Sequence, residues 1–142
     1  MLAEIDPVVA WELGRVAKLN VLADGEILCE VEDALVGDSL GALLVTDVRV
    51  LFATTGVFRR RTRLVSIPLE TVHKAEALDT ANVFKRGKWG LLVLLARGRQ
   101  GDERHEFDAI SSGRARAREI VGTILRQRDL LRRVEDSPSR DG

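Results

Sequence analysis

This chain of 142 residues has one cysteine, two histidines, four phenylalanines and two tryptophans. It has no apolar run near the ~18 residues that a membrane-spanning helix needs. Each scarcity removes a class of function. A lone Cys29 closes no internal disulfide and builds no zinc site. As the middle of Ile27, Cys29 and Val31 in an alternating stretch, it reads as a small buried hydrophobe. His73 and His105 each fall in an expected strand with no serine or cysteine nucleophile motif beside them. Gly98 and Gly101 are turn glycines, because no Gly-Lys-Ser/Thr follows at a strand-to-helix junction to cradle a phosphate. Glu30, Glu32 and Asp33 lack calcium-loop spacing, and alternation along a strand splits adjacent carboxylates between faces, so they read as a solvated strand edge. The chain is therefore read as non-enzymatic, with no catalytic residue, no metal site and no cofactor. Glu4 and Asp6 stand where a secretory signal would carry Lys or Arg, and the expected location is the cytoplasm.

Apolar residues make up 45% of the chain and charged residues 31%, the balance of a soluble globular protein. Its length fits one domain with a proper core. The net charge of zero hides an asymmetry: residues 1–40 carry nine acids against Arg15 and Lys18, net −7, and the remainder carries +7.

Gly41 to Phe52 organises the rest. Two apolar runs meet at Thr46-Asp47-Val48-Arg49, and with Asp47 and Val48 as the central turn residues the stretch is a tight β-hairpin. Val45 then faces Val50, Leu44 faces Leu51 and Leu43 faces Phe52. Because successive strand residues point to opposite faces, Leu43, Val45, Val50 and Phe52 form a core. The opposite face, with Ala42, Leu44, Leu51, Ala53, Thr46 and Arg49, is too apolar to stand in water.

Upstream, Asp6-Pro7 starts a helix over about 7–19. Its stripe of Val9, Leu13 and Val16 is expected to cover the outer face of the hairpin, in its own subunit or a neighbour's. A first strand spans Glu26 to Glu32, and Asp33 to Asp38 is a turn region. Downstream, strands are expected at 63–68, ended by Pro68, at 71–77, at 89–96 and at 103–107. Trp89 to Ala96 is apolar on both faces, as in a strand covered on both sides. From Ser111 or Ser112, read as the cap, Ala117, Ile120, Val121, Ile124 and Leu131 recur at helical spacing and define a long amphipathic helix. The organisation is an N-terminal helix in 1–20, a domain in 21–133 and a disordered tail in 134–142.

Seven short strands followed by one amphipathic helix is the element order of the pleckstrin-homology superfold. Gly25-Glu26, Leu43 to Phe52 and Ser66-Ile-Pro-Leu-Glu-Thr-Val72 resemble its bacterial branch, including GRAM-type domains. Val48, where such turns carry a polar residue, and the extra N-terminal helix depart from the pattern. The resemblance implies a mainly β protein: a seven-stranded β-sandwich or partly open barrel capped by the C-terminal helix. It also implies a binding module for lipids, peptides or its own copies.

Two basic clusters are the candidate ligand-binding residues: Arg59, Arg60, Arg61 and Arg63 after the third strand, and Lys85, Arg86 and Lys88 before the sixth. In eukaryotic relatives phosphoinositide is gripped around the first two strands. Here that region is acidic, with Glu30, Glu32, Asp33 and Asp38, so a phosphoinositide site does not transfer residue for residue. The first expectation is a module acting through protein contacts, self-association among them. The alternative is a peripheral adaptor drawn to anionic lipid head groups by its Arg and Lys clusters. Nucleic acid is disfavoured, because the N-terminal third is acidic and no aromatic stacking platform is visible.

Overall fold

The Thr46–Arg49 turn folds as its sequence dictates. In the computed structural model, which describes residues 21–54 and 64–136, β2 (Ser39–Thr46) and β3 (Arg49–Thr54) follow β1 (Leu28–Val36). β2 and β3 pair with Val45 opposite Val50, Leu44 opposite Leu51 and Leu43 opposite Phe52. Then come β4 (Leu64–Pro68), β5 (Val72–Asp79), β6 (Trp89–Gly98), β7 (Gly101–Ser111) and one helix, α1 (Gly113–Asp136). All strand pairs are antiparallel, in the order β4-β3-β2-β1-β7-β6-β5. The helix expected over 7–19, with Val9, Leu13 and Val16, lies outside the described residues.

The sheet bends where β1 meets β7, joined at the single pair Leu35 and Asp108. One core is thereby enclosed between β1–β4 and β5–β7. Leu43, Val45, Val50, Phe52 and Ile67 from the first half meet Leu92, Leu94, Phe107 and Ile110 from the second, and Ala117, Ile120 and Ile124 of α1 seal the cluster. Phe52 and Phe107 span the layers with ring centroids 6.1 Å apart. The helix also closes one sheet edge. Arg114 Nε donates to the Ala77 carbonyl and Arg128 Nη1 to that of Val72, both at 3.2 Å, so carbonyls of the edge strand β5 are satisfied by the helix.

Several boundaries shift from those the sequence suggests. β1 continues through the expected turn region to Val36, and the reversal falls at Gly37-Asp38, where Gly37 has φ 63°. Ile27, Cys29 and Val31 do not share a face. Leu28 pairs with Thr46 but Glu30 with Val45, so Cys29 is the extra residue of a β-bulge that reverses the alternation. Leu28 and Val31 consequently face outward and Glu30 and Glu32 face the helix, while Ile27 is left 62% exposed. Ser112 has φ 68°, outside the extended geometry of a capping residue. α1 runs to Asp136 and so takes in the first three residues of the expected tail.

The outer face of the hairpin is covered, as its composition requires. Val21, Leu22, Leu28 and Val31 pack on Ala42, Leu44 and Leu51. The incoming segment is pinned there by Glu26, whose side chain is 2% exposed. Its Oε1 accepts from Arg49 Nη2 and the Ala23 N–H, and its Oε2 from Arg49 Nε and Thr46 Oγ1, at 2.7–2.9 Å. Arg49 Nη2 also donates to the Val21 carbonyl, and Asp47 exchanges two bonds with the backbone of Ile27. On the outside of the second half-sheet, Val93 is 3% exposed beneath the Lys74–Glu76 and Arg104–Glu106 pairs, whose aliphatic stems flank it.

Two predictions follow from this framework. Hydrogen bonds from Arg49 hold the Glu26 carboxyl down at about 2 from its ordinary 4.5, in spite of burial. A depressed carboxyl stabilises the fold fully above the unfolded-state value, and that contribution disappears as pH falls through the folded-state value. The network is expected to contribute on the order of 3 kcal/mol at neutral pH. Glu26→Gln should lose most of it, and wild type should lose its advantage over the variant between pH 4.5 and about 2 in thermal melts. The second concerns β7, where Asp108 and Ala109 together oppose Leu91, and Ala109 is held at φ 60°. Ala109→Gly should stabilise by about 0.5–1 kcal/mol, a rise of roughly 2–5 °C in Tm. A lower Tm would show that the bulge carries no strain.

Candidate functional site

The connection from β5 to β6, residues 80–88, is a built loop. Thr80 is 3% exposed, and its hydroxyl accepts from the Asn82 N–H at 3.1 Å. Asn82 Oδ1 accepts from the Phe84 N–H at 3.0 Å and caps a 3₁₀ turn over Val83–Lys85. The Lys85 N–H returns to the Asn82 carbonyl at 3.0 Å and the Lys88 N–H to the Lys85 carbonyl at 2.9 Å. Gly87, with φ 84°, supplies the left-handed residue that turns the chain back.

This framework presents an apolar tip in a basic collar. Phe84 is 89% exposed and Val83 61%. Lys85 Nζ stands 5.3 Å from the ring centre of the half-buried Trp89, a cation–π contact that holds it at the base. Arg86 and Lys88 are exposed, and no ion pair among the described residues engages Lys85, Arg86 or Lys88. Residues 80–88 contain no acid; Asp79, at the end of β5, is the adjoining one.

The loop rests on the start of α1. Trp89 bridges to Gly113, and a Cβ at Gly90 would fall 2.4 Å from the Gly113 carbonyl oxygen. The first turn of α1 has no acidic residue, and Arg114 lies within it. A cation at the positive end of the helix dipole is unfavourable by itself. This corner of the molecule is thus positive by composition and by backbone.

Of the sequence-derived candidates, Lys85, Arg86 and Lys88 come together in this loop, whereas Arg59, Arg60, Arg61 and Arg63 lie outside the described residues. Of the acids read as a solvated strand edge, Glu30 and Glu32 are instead bound by the helix. Arg116 of α1 binds Glu30 and Glu32 at 2.9 Å each and Glu119 at 3.1 Å, fastening the helix to β1. The histidines are surface partners of carboxylates: His73 Nε2 is 3.2 Å from Asp102 and His105 Nε2 3.4 Å from Glu103. Burial pushes the Cys29 thiol up, away from nucleophilic use. Among the described residues no group of three His, Cys, Asp or Glu is placed to hold a metal ion, and no helix is long and apolar enough to cross a membrane. A hollow of about 820 Å³ beside the β6–β7 turn sets Arg97 and Arg99 against Glu103, and Arg97 also reaches the Glu70 carbonyl. Val83 and Phe84 escaped the sequence reading. The signal available was an apolar pair sitting directly before Lys-Arg-Gly-Lys in a loop.

No family model and no curated protein matches the chain. Among solved structures it is similar to the hSac2 domain from the human phosphoinositide phosphatase Sac2, with 14% identity and a TM-score of 0.63, over 91% of this chain and 86% of that one. Likeness at this identity shows the fold alone. With the strand order, the bent sheet and the closing helix, it makes the architecture pleckstrin-homology-like.

The close packing beneath the loop is testable. Gly90→Ala should cost about 1–3 kcal/mol, because backbone atoms of Gly113 must retreat from the new methyl group. A melt unchanged from wild type would show that the loop and helix start are not locked together.

Proposed function

We propose that this chain is a non-enzymatic binding module that contacts its target through the loop of residues 80–88. The observation that carries the reading is Phe84, 89% exposed on a loop whose backbone is fixed by its own hydrogen bonds. A large aromatic left in water on an ordered scaffold is the kind of anchor that binding surfaces use. The stretches Leu43 to Phe52 and Ser66 to Val72 support a place among bacterial GRAM-type domains. Protein contact, self-association included, and an anionic lipid surface both suit an exposed aromatic. The three cations on the same loop favour an anionic target.

The test is a photoreactive phenylalanine analogue placed at position 84, with the same analogue at exposed Arg99 in the β6–β7 turn as control. Adducts to protein, to a second copy or to lipid should form in cells at position 84 well above the control. Equal labelling at the two positions would remove the loop as the working surface.

A further inference from the structure

The geometry points to an anionic lipid bilayer as the partner of this loop, with Val83 and Phe84 inserted among the head groups and Lys85, Arg86 and Lys88 against lipid phosphates. This rests on the loop being the contact surface of the module. Three features select a bilayer over an acidic protein. First, Phe84 and Val83, in the middle of the loop, are 89% and 61% exposed. A protein partner would need a pocket already shaped for such a projection, whereas a lipid surface deforms around it.

Second, polarity is ordered along the loop. The apolar pair leads, the exposed Arg86 and Lys88 follow, and the half-buried Trp89 lies under Lys85 at the root. Amphipathic aromatics and snorkelling cations take the same order across a membrane interface. Third, the ground beneath is positive, with Arg114 in an acid-free first helical turn and Asp79 the adjoining acid. The turn is also already formed, so insertion does not have to order the loop.

The two contributions separate by salt. Attraction of basic residues to an anionic surface fades as the Debye length shortens, whereas burial of apolar surface does not. Each basic residue near such a surface should strengthen binding roughly fivefold, and the three together on the order of a hundredfold. Insertion of Phe84 should add at least roughly tenfold.

Co-sedimentation with phosphatidylcholine vesicles, with and without phosphatidylglycerol, tests the proposal at about 0.1 M and 1 M salt. Wild type should bind the anionic vesicles and lose most affinity at high salt. The triple variant Lys85→Ala, Arg86→Ala, Lys88→Ala should bind on the order of a hundredfold more weakly at low salt. Phe84→Ala should bind at least roughly tenfold more weakly at both salt concentrations. Thermal melts matching wild type would confirm that both variants are folded. Equal binding by Phe84→Ala and wild type would overturn insertion, and equal binding to neutral vesicles would overturn the anionic requirement. If no vesicle is bound while position 84 crosslinks to a protein, the lipid proposal fails and the loop remains the contact surface. If neither is seen, both readings fall.

Discussion

The carboxylate of Glu26 accepts four hydrogen bonds, from Arg49 twice, from Thr46 and from the Ala23 N–H, in a site where its side chain is 2% exposed. A buried charge is tolerable only when paired and fully hydrogen-bonded, and this one is both. It ties three things that are distant in sequence: the segment entering β1, the β2–β3 turn and, through Arg49 Nη1 and Ser66 Oγ at 3.4 Å, strand β4. With the segment held, Val21 and Leu22 lie on Ala42, Leu44 and Leu51, and the hairpin has two dry faces. Removing one partner would leave the other charge in poor surroundings, which is why paired buried ions are sensitive to single substitutions.

A second ionic fastening works on the opposite side of β1. The bulge at Cys29 turns Glu30 and Glu32 toward α1, where Arg116 binds both. An apolar helix face can slide on an apolar sheet, but a guanidinium between two carboxylates fixes one register. Arg114 and Arg128 add fixed points on the carbonyls of Ala77 and Val72. The start of α1 is thereby placed against Trp89 and Gly90, and it is this placement that gives the 80–88 loop its firm base.

What could be read from the sequence was whatever depended on local pattern. The hairpin register, the buried Leu43, Val45, Val50 and Phe52, and the helix face of Ala117, Ile120 and Ile124 all follow from periods of two and 3.6. The bulge was not legible, because one extra residue in β1 leaves composition unchanged while reversing every side chain after it. For the same reason Glu30 and Glu32 read as solvent-facing, since their partner Arg116 lies more than 80 residues away. The basic half of the candidate site was visible as Lys85, Arg86 and Lys88. Its apolar half was not, because a Val-Phe pair is ordinarily core, and only the tertiary fold shows that nothing among the described residues covers Phe84.

These observations bear on the charge asymmetry of the chain. The first 40 residues carry a net −7, yet three of the acids of β1 and its approach are held by arginines: Glu26 by Arg49, and Glu30 and Glu32 by Arg116. Glu26 is matched one to one by Arg49, whereas Glu30 and Glu32 share the single guanidinium of Arg116, so the negative charge of β1 stays on the side of the sheet that faces α1. Lys85, Arg86 and Lys88 have no such carboxylate partners among the described residues, and the first turn of α1 beside them adds the positive end of a dipole. A molecule with a formal net charge of zero can therefore present a positive corner. Since exposed charges act over about 8 Å at physiological ionic strength, what a partner meets is the local charge of that corner and not the total. The hydrogen-bonded loop holds an apolar tip within the same range, so one small surface combines attraction at a distance with burial on contact.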